Sequence, residues 1–168
     1  MPRAVLLLLL LVACVDRPQR PGSAQRRAGD SCDSAFARVQ ARGRVAMGVD
    51  QYTSFHQFES LPDGGRISLQ RDPDDSAGVA QIRSHMQRIA VAFADGDFAL
   101  PGLVHAREVP GTAVMAASRS QIRYVADTLA GGGQVRLRTS DPSAIAAIHQ
   151  FLAFQRQDHR STSHKAAH

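Results

Sequence analysis

Seven histidines stand out as the chemical resource of a 168-residue chain that has only two cysteines and no tryptophan. Neutral imidazole is a common ligand for copper and zinc. Four histidines sit where local periodicity would aim them at a shared interior. His56 alternates with Ser54 and Phe58 on an extended segment. His85 lies one turn before Ile89 at the edge of an apolar helix face, and His149 falls one turn from both Ile145 and Leu152. His105 belongs to an apolar connecting segment. His56, His85, His105 and His149 are therefore the candidate ligands of a copper or zinc site between helices and sheet. Met47, Met86 and Met115 add thioethers of the kind monovalent copper accepts. Of the remainder, His159 reads as the closing residue of the last helix, and His164 and His168 belong to a polar tail. The competing expectation is that each imidazole completes packing or bonds a neighbour, because no HxH, HExxH or CxxC spacing occurs.

Catalytic patterns are weaker. No GxSxG elbow is present, and Gly131-Gly-Gly133 precedes a strand, whereas a phosphate cradle needs a helix N-terminus. Asp158 and His159 are adjacent and so cannot alone form an oriented Asp–His relay. Asp72, Asp74 and Asp75 lack the glycine and terminal glutamate of a calcium loop, and helix capping accounts for them. A small hydrolase or transferase working through His105 and Asp97 stays a minor reading, and no organic cofactor is implied.

The elements that must position these side chains follow from period and punctuation. Tyr52–Ser60 reads as extended, Leu61-Pro-Asp-Gly-Gly65 as a tight turn, and Arg66–Arg71 as a half-buried strand. Asp75 to Ala94 reads as a helix with Val79, Ile82, Met86, Ile89 and Phe93 on one face. Gly96–Ser118 reads as an irregular, apolar connection. The order then recurs: Ile122–Leu129 extended, a glycine turn, Gln134–Thr139 alternating, and a helix capped by Asp141. Ser60–Gln70 matches Thr128–Arg138, and an Asp-Pro pair follows each, at Asp72-Pro73 and Asp141-Pro142. The expectation is an α+β fold: a duplicated strand–strand–helix unit (copies about 52–94 and 120–159). It would form a four-stranded, mostly antiparallel sheet with two helices on one face.

The N-terminal part carries an address. Met1–Ala13 holds Arg3 and then an apolar run of about 15 Å as a helix, half a hydrocarbon core and the proportion of a secretory signal. Leu11-Val-Ala-Cys14 resembles the lipobox of bacterial lipoproteins. That resemblance implies a diacylglycerol on Cys14, membrane attachment, and a place in the cell envelope facing the periplasm. Residues 14–44 read as a basic tether with seven arginines against three aspartates, with a short helix at Ser34–Arg42 stopped by Gly43. Positions 45–160 carry eleven arginines against twelve carboxylates and form the single α+β domain. Residues 161–168 read as a tail. A nearly neutral domain, in a chain with 5% aromatics, lacks the footprint of a nucleic-acid binder. Cys32, outside the domain, reads as a solvated bystander.

From Met47 to His159 the chain also resembles a family of small bacterial proteins. The likeness is carried by LPDGGRI (Leu61–Ile67), IRSH (Ile82–His85), AVAFADGDFALPGLVH (Ala90–His105), VPGTAVM (Val109–Met115) and AIHQFLAFQRQDH (Ala147–His159). The family brings no assigned activity with it. Its members often have two adjacent histidines where this chain has Phe55-His56. The functional expectation is an exported lipoprotein with a binding or accessory role, copper or zinc being the candidate ligand. The alternative is a protein-interaction or structural lipoprotein without one.

Overall fold

The computed structural model describes residues 22–48 and 52–161. Cys14, the signal segment and the tail histidines lie outside the described residues. The elements in chain order are α1 (Gly22–Met47), β1 (Ser54–Leu61), β2 (Gly64–Arg71), α2 (Ser76–Ala94), α3 (Ala99–His105) and α4 (Thr112–Ala117). A single 3-10 turn, β3 (Arg123–Leu129), β4 (Gly132–Arg138) and α5 (Pro142–Asp158) complete it. The strands form one open antiparallel sheet in the order β1-β2-β4-β3, an α+β architecture.

Both hairpins close through two residues, Pro62-Asp63 and Ala130-Gly131, and both end on a Leu–Gly pair: Leu61 opposite Gly64, Leu129 opposite Gly132. The hairpins meet at their second strands, where Ile67 faces Val135. Alternation then places His56, Phe58, Ile67, Leu69, Val135, Leu137 and Tyr124 on the helix-covered face. The largest fully buried side chains, among them Phe151, Leu69, Ile82, Met86 and Leu152, fill the layer between helices and sheet. Each contributes about 1.5–3 kcal/mol by leaving water. The helices cross over: α2 lies mainly on β3 and β4, while α5 lies on β1 and β2. Gly65 sits beneath Leu152 and Ile148 of α5, where a Cβ would collide with both.

Capping follows the expected chemistry. Asp75 accepts from Gly78 N at 2.9 Å and Asp141 from Ala144 N at 2.7 Å, satisfying orphan amides at the two helix starts. The two Asp-Pro pairs that align in sequence nevertheless take different places. Asp72-Pro73 lies in the turn before the Asp75 cap, whereas Asp141 is itself a cap and Pro142 opens α5.

Two segments differ from the sequence reading. Gly96–Ser118 is not irregular: it holds α3 and α4, with Asp97 Oδ1 accepting from Ala99 N at 2.8 Å just ahead of α3 and Pro101 in its first turn. Ala106, left-handed at φ 52°, ends α3, and Gly111 at φ 85° precedes α4. These local turns lay the segment across one end of the helical layer. The helix expected at Ser34–Arg42 is longer in both directions, and Gly43 is buried inside it without stopping it. Its Arg42 Nε donates to Val104 O at 2.6 Å, so α1 braces the exposed carbonyl end of α3. Among the described residues, no helix is long and apolar enough to cross a membrane.

Candidate functional site

A cavity partly open to solvent lies beneath α3, and four histidines from four different elements line it: His56 on β1, His85 on α2, His105 on α3 and His159 at the end of α5. Strand alternation turns His56 inward beside Phe58, and the helical period turns His85 inward between Ile82 and Ile89. His159 arrives because α5 ends against β1. Apart from Gln155 the remaining wall is apolar, including Phe58, Ile89, Val104 and Phe151.

Three of the rings meet through His159. The His159 ring centre lies 4.9 Å from that of His56 and 5.1 Å from that of His105. His56 stacks on Phe58 at 5.5 Å with an interplanar angle of 4°. Burial pushes the His85 pKa down to about 4, helped by the Arg88 charge. Burial also pushes His159 down to about 4, with His105 adding to the shift and Asp158 opposing it. His56 lies well below its ordinary value, through burial first and then the charges of His159, His85 and His105. These three imidazoles are thus neutral at physiological pH, the form a metal ion takes.

His105 is differently held. Its Nδ1–H donates to Asp158 Oδ2 at 2.5 Å, and its Nε2 lies 2.9 Å from Gln155 Oε1. Arg107 donates to the other Asp158 oxygen at 3.1 Å and covers the Phe154 ring at 4.5 Å. Both ring nitrogens of His105 are therefore engaged. The Nδ1 of His159 is buried without a hydrogen-bond partner among the described residues.

The structure thus brings together His56, His85 and His105 but not His149. That residue sits half-buried on α5, with Nε2 at 2.9 Å from Leu61 O and 3.0 Å from Gly64 O, holding the β1–β2 turn. Its period is right for the core, but the strand ends beneath it and only backbone carbonyls are in reach. His159 takes the fourth place in the cluster. The signal that could have found it was the 159 position completing the face of His149, Leu152 and Gln155 at helical spacing. Met86 and Met115 are core residues, with only Met86 on the cavity wall.

Asp97 is exposed and accepts from Ala99 N; the carboxylate on His105 is Asp158. Among the described residues, no serine, threonine or cysteine lines the cavity beside the His105–Asp158 pair. The hydrolase or transferase reading through Asp97 and His105 loses its geometric basis.

Size narrows what the cavity holds. At about 70 Å³ it accommodates roughly two water molecules and falls far below the roughly 300–1,000 Å³ of small-molecule pockets. An ion fits. Two imidazoles sharing one ion at about 2 Å per bond hold their ring centres roughly 5 Å apart, the spacing seen here. As the side chains stand, no group of three His, Cys, Asp or Glu forms a ready coordination shell among the described residues. No family model, curated protein or solved structure matches the chain.

Proposed function

We propose that this chain is an exported accessory protein, anchored to the membrane through a lipid on Cys14, that binds one copper or zinc ion in the histidine cavity. His56, His85 and His159 are the ligands, and His105, locked by Asp158 and Gln155, fixes the position of the His159 ring. The observation that carries this reading is the convergence of imidazoles from four elements on one ion-sized apolar cavity. Burial keeps three of those imidazoles deprotonated, and one of them has an orphaned nitrogen. When bound, the ion would add a charge that none of these neutral ligands cancels. Because the cost of burying charge rises with its square, the site favours monovalent copper over zinc.

The test is metal titration of the full chain, purified without a polyhistidine tag, against Cu(I) and Zn(II) with competing chelators. The expected result is one tightly held ion, lost in a His56→Phe, His159→Phe double variant that preserves ring volume, and retained in His149→Ala. A folded chain that takes up neither metal overturns the reading.

A second reading is supported by the complete hydrogen bonding of His105, the His56–Phe58–His159 stacking and the lack of a preformed shell. In it the cluster is packing alone, and the protein is a non-catalytic interaction or structural lipoprotein. Failure of the titration selects this alternative.

A further inference from the structure

The face of the sheet away from the helices carries a block of four arginines whose arrangement opposes the stability of the sheet itself. Arg66 on β2 pairs directly with Arg136 on β4, and Arg138 on β4 pairs directly with Arg123 on β3. Like charges placed opposite one another on adjacent strands are destabilising. Here two such pairs stand next to each other, and alternation aims all four side chains to the same side.

The inner arginines are partly compensated. Arg66 is ion-paired with Glu59, and Arg136 with Asp63. Arg136 also donates to the carbonyls of Gly65 and Leu137, which fixes its guanidinium at the floor of the block. The outer pair is not compensated in this way. Arg138 is exposed and reaches only the far oxygen of Asp63 at 3.7 Å, a carboxylate already engaged by Arg136. Arg123 makes no ion pair among the described residues.

Together the four arginines line an open groove of about 380 Å³, with Asp127 and Gln134 at its side. This volume lies within the range of small-molecule sites, unlike the histidine cavity. Glu59, Asp63 and Asp127 offset much of the charge of the four guanidinium groups, so the free cationic donors of the groove are the exposed Arg123 and Arg138. Planar forks with parallel N–H donors match phosphate oxygens two at a time. We propose that this groove is a binding site for a phosphate-bearing anion, gripped by Arg123 and Arg138 beside the fixed Arg136. The site is separate from the histidine cavity, on the opposite face of the sheet, and does not depend on metal binding. The phosphate could belong to a soluble phosphorylated compound or to an anionic lipid headgroup beside which an anchored domain would sit.

The test uses the full chain and three forms of it: the parent, an Arg123→Gln, Arg138→Gln variant, and an Arg88→Gln, Arg119→Gln variant. The last has the same change of charge on the helical side. Inorganic pyrophosphate is titrated calorimetrically at low ionic strength, and vesicles of phosphatidylglycerol are compared with vesicles of phosphatidylcholine by sedimentation. The expected result is binding at least tenfold weaker in the Arg123, Arg138 variant and unchanged in the Arg88, Arg119 variant. A loss confined to pyrophosphate assigns a soluble ligand, and a loss confined to phosphatidylglycerol assigns the headgroup. Equal loss in both variants, or binding of neither probe above the phosphatidylcholine background, overturns the proposal. Thermal melting keeps the outcome readable, because relieving an Arg–Arg pair leaves the melting temperature of the variant equal to or above that of the parent.

Discussion

His105 and Asp158, separated by 53 positions, are joined by a 2.5 Å hydrogen bond that ties the end of α3 to the end of α5. Both partners come from the last residues of their helices, so the bond fixes His105 at the cavity wall. The His105 side chain is nearly fully buried, so its bond to a carboxylate belongs to the stronger class, about 1.5–3 kcal/mol. Asp158→Asn keeps the shape and removes the charge. It is expected to lower the unfolding free energy in urea by about 1–3 kcal/mol, and a change below about 0.5 kcal/mol would show that the contact is incidental.

Acid should loosen the molecule before its carboxylates titrate. His85 and His159 have folded pKa values of about 4 against 6.5 for the free side chain, and His56 also lies well below its ordinary value. As pH falls below 6.5 the unfolded chain takes up these protons while the folded chain refuses them. The associated stability is therefore fully present above 6.5 and is lost progressively toward about 4. Each histidine contributes a slope of about 1.4 kcal/mol per pH unit across that window. Urea unfolding of the metal-free chain at stepped pH measures the slope. The His85→Phe, His159→Phe variant should flatten it, and an unchanged slope would place the titrating groups elsewhere.

His149 separates the structural histidine from the cluster. Replacing it with alanine removes the donor shared by the Leu61 and Gly64 carbonyls at the β1–β2 turn. The expected cost is about 1 kcal/mol. Copper and zinc uptake should be unaltered, and a parallel loss of metal would return His149 to the site.

Tyr124 offers a gain. Its hydroxyl is buried with no hydrogen-bond partner among the described residues, and the same burial raises its pKa. Tyr124→Phe removes the unpaired group and keeps the edge contact with Phe93 at 6.0 Å. Stability should rise by about 1 kcal/mol, read as a higher denaturant midpoint. A fall would indicate that the hydroxyl is bonded to water.

The sequence exposed the strands, the two capped helices and the inward faces of His56 and His85, because these depend on alternation and helical period alone. His105 was visible only as a polar residue in an apolar segment. Its partner Asp158 was set aside as a neighbour of His159, since the pairing exists only after α5 has crossed onto β1. For the same reason His149 and His159 exchanged roles: both lie on the inward side of α5, but which one meets the cavity depends on where β1 ends. α3 and α4 were hidden because helices of seven and six residues are too short to show a sustained apolar period.

The crossing of the helices has a consequence for assembly. Each hairpin is roofed by the helix from the other half of the chain, α2 over β3–β4 and α5 over β1–β2. Neither half can complete its own interior, so the contacts that matter most join residues distant in sequence and must close late, which slows folding. Severed between α4 and β3, the two pieces are each expected to remain largely unstructured. On mixing they should regain the near-ultraviolet circular dichroism of the intact chain, like two hands that clasp only each other.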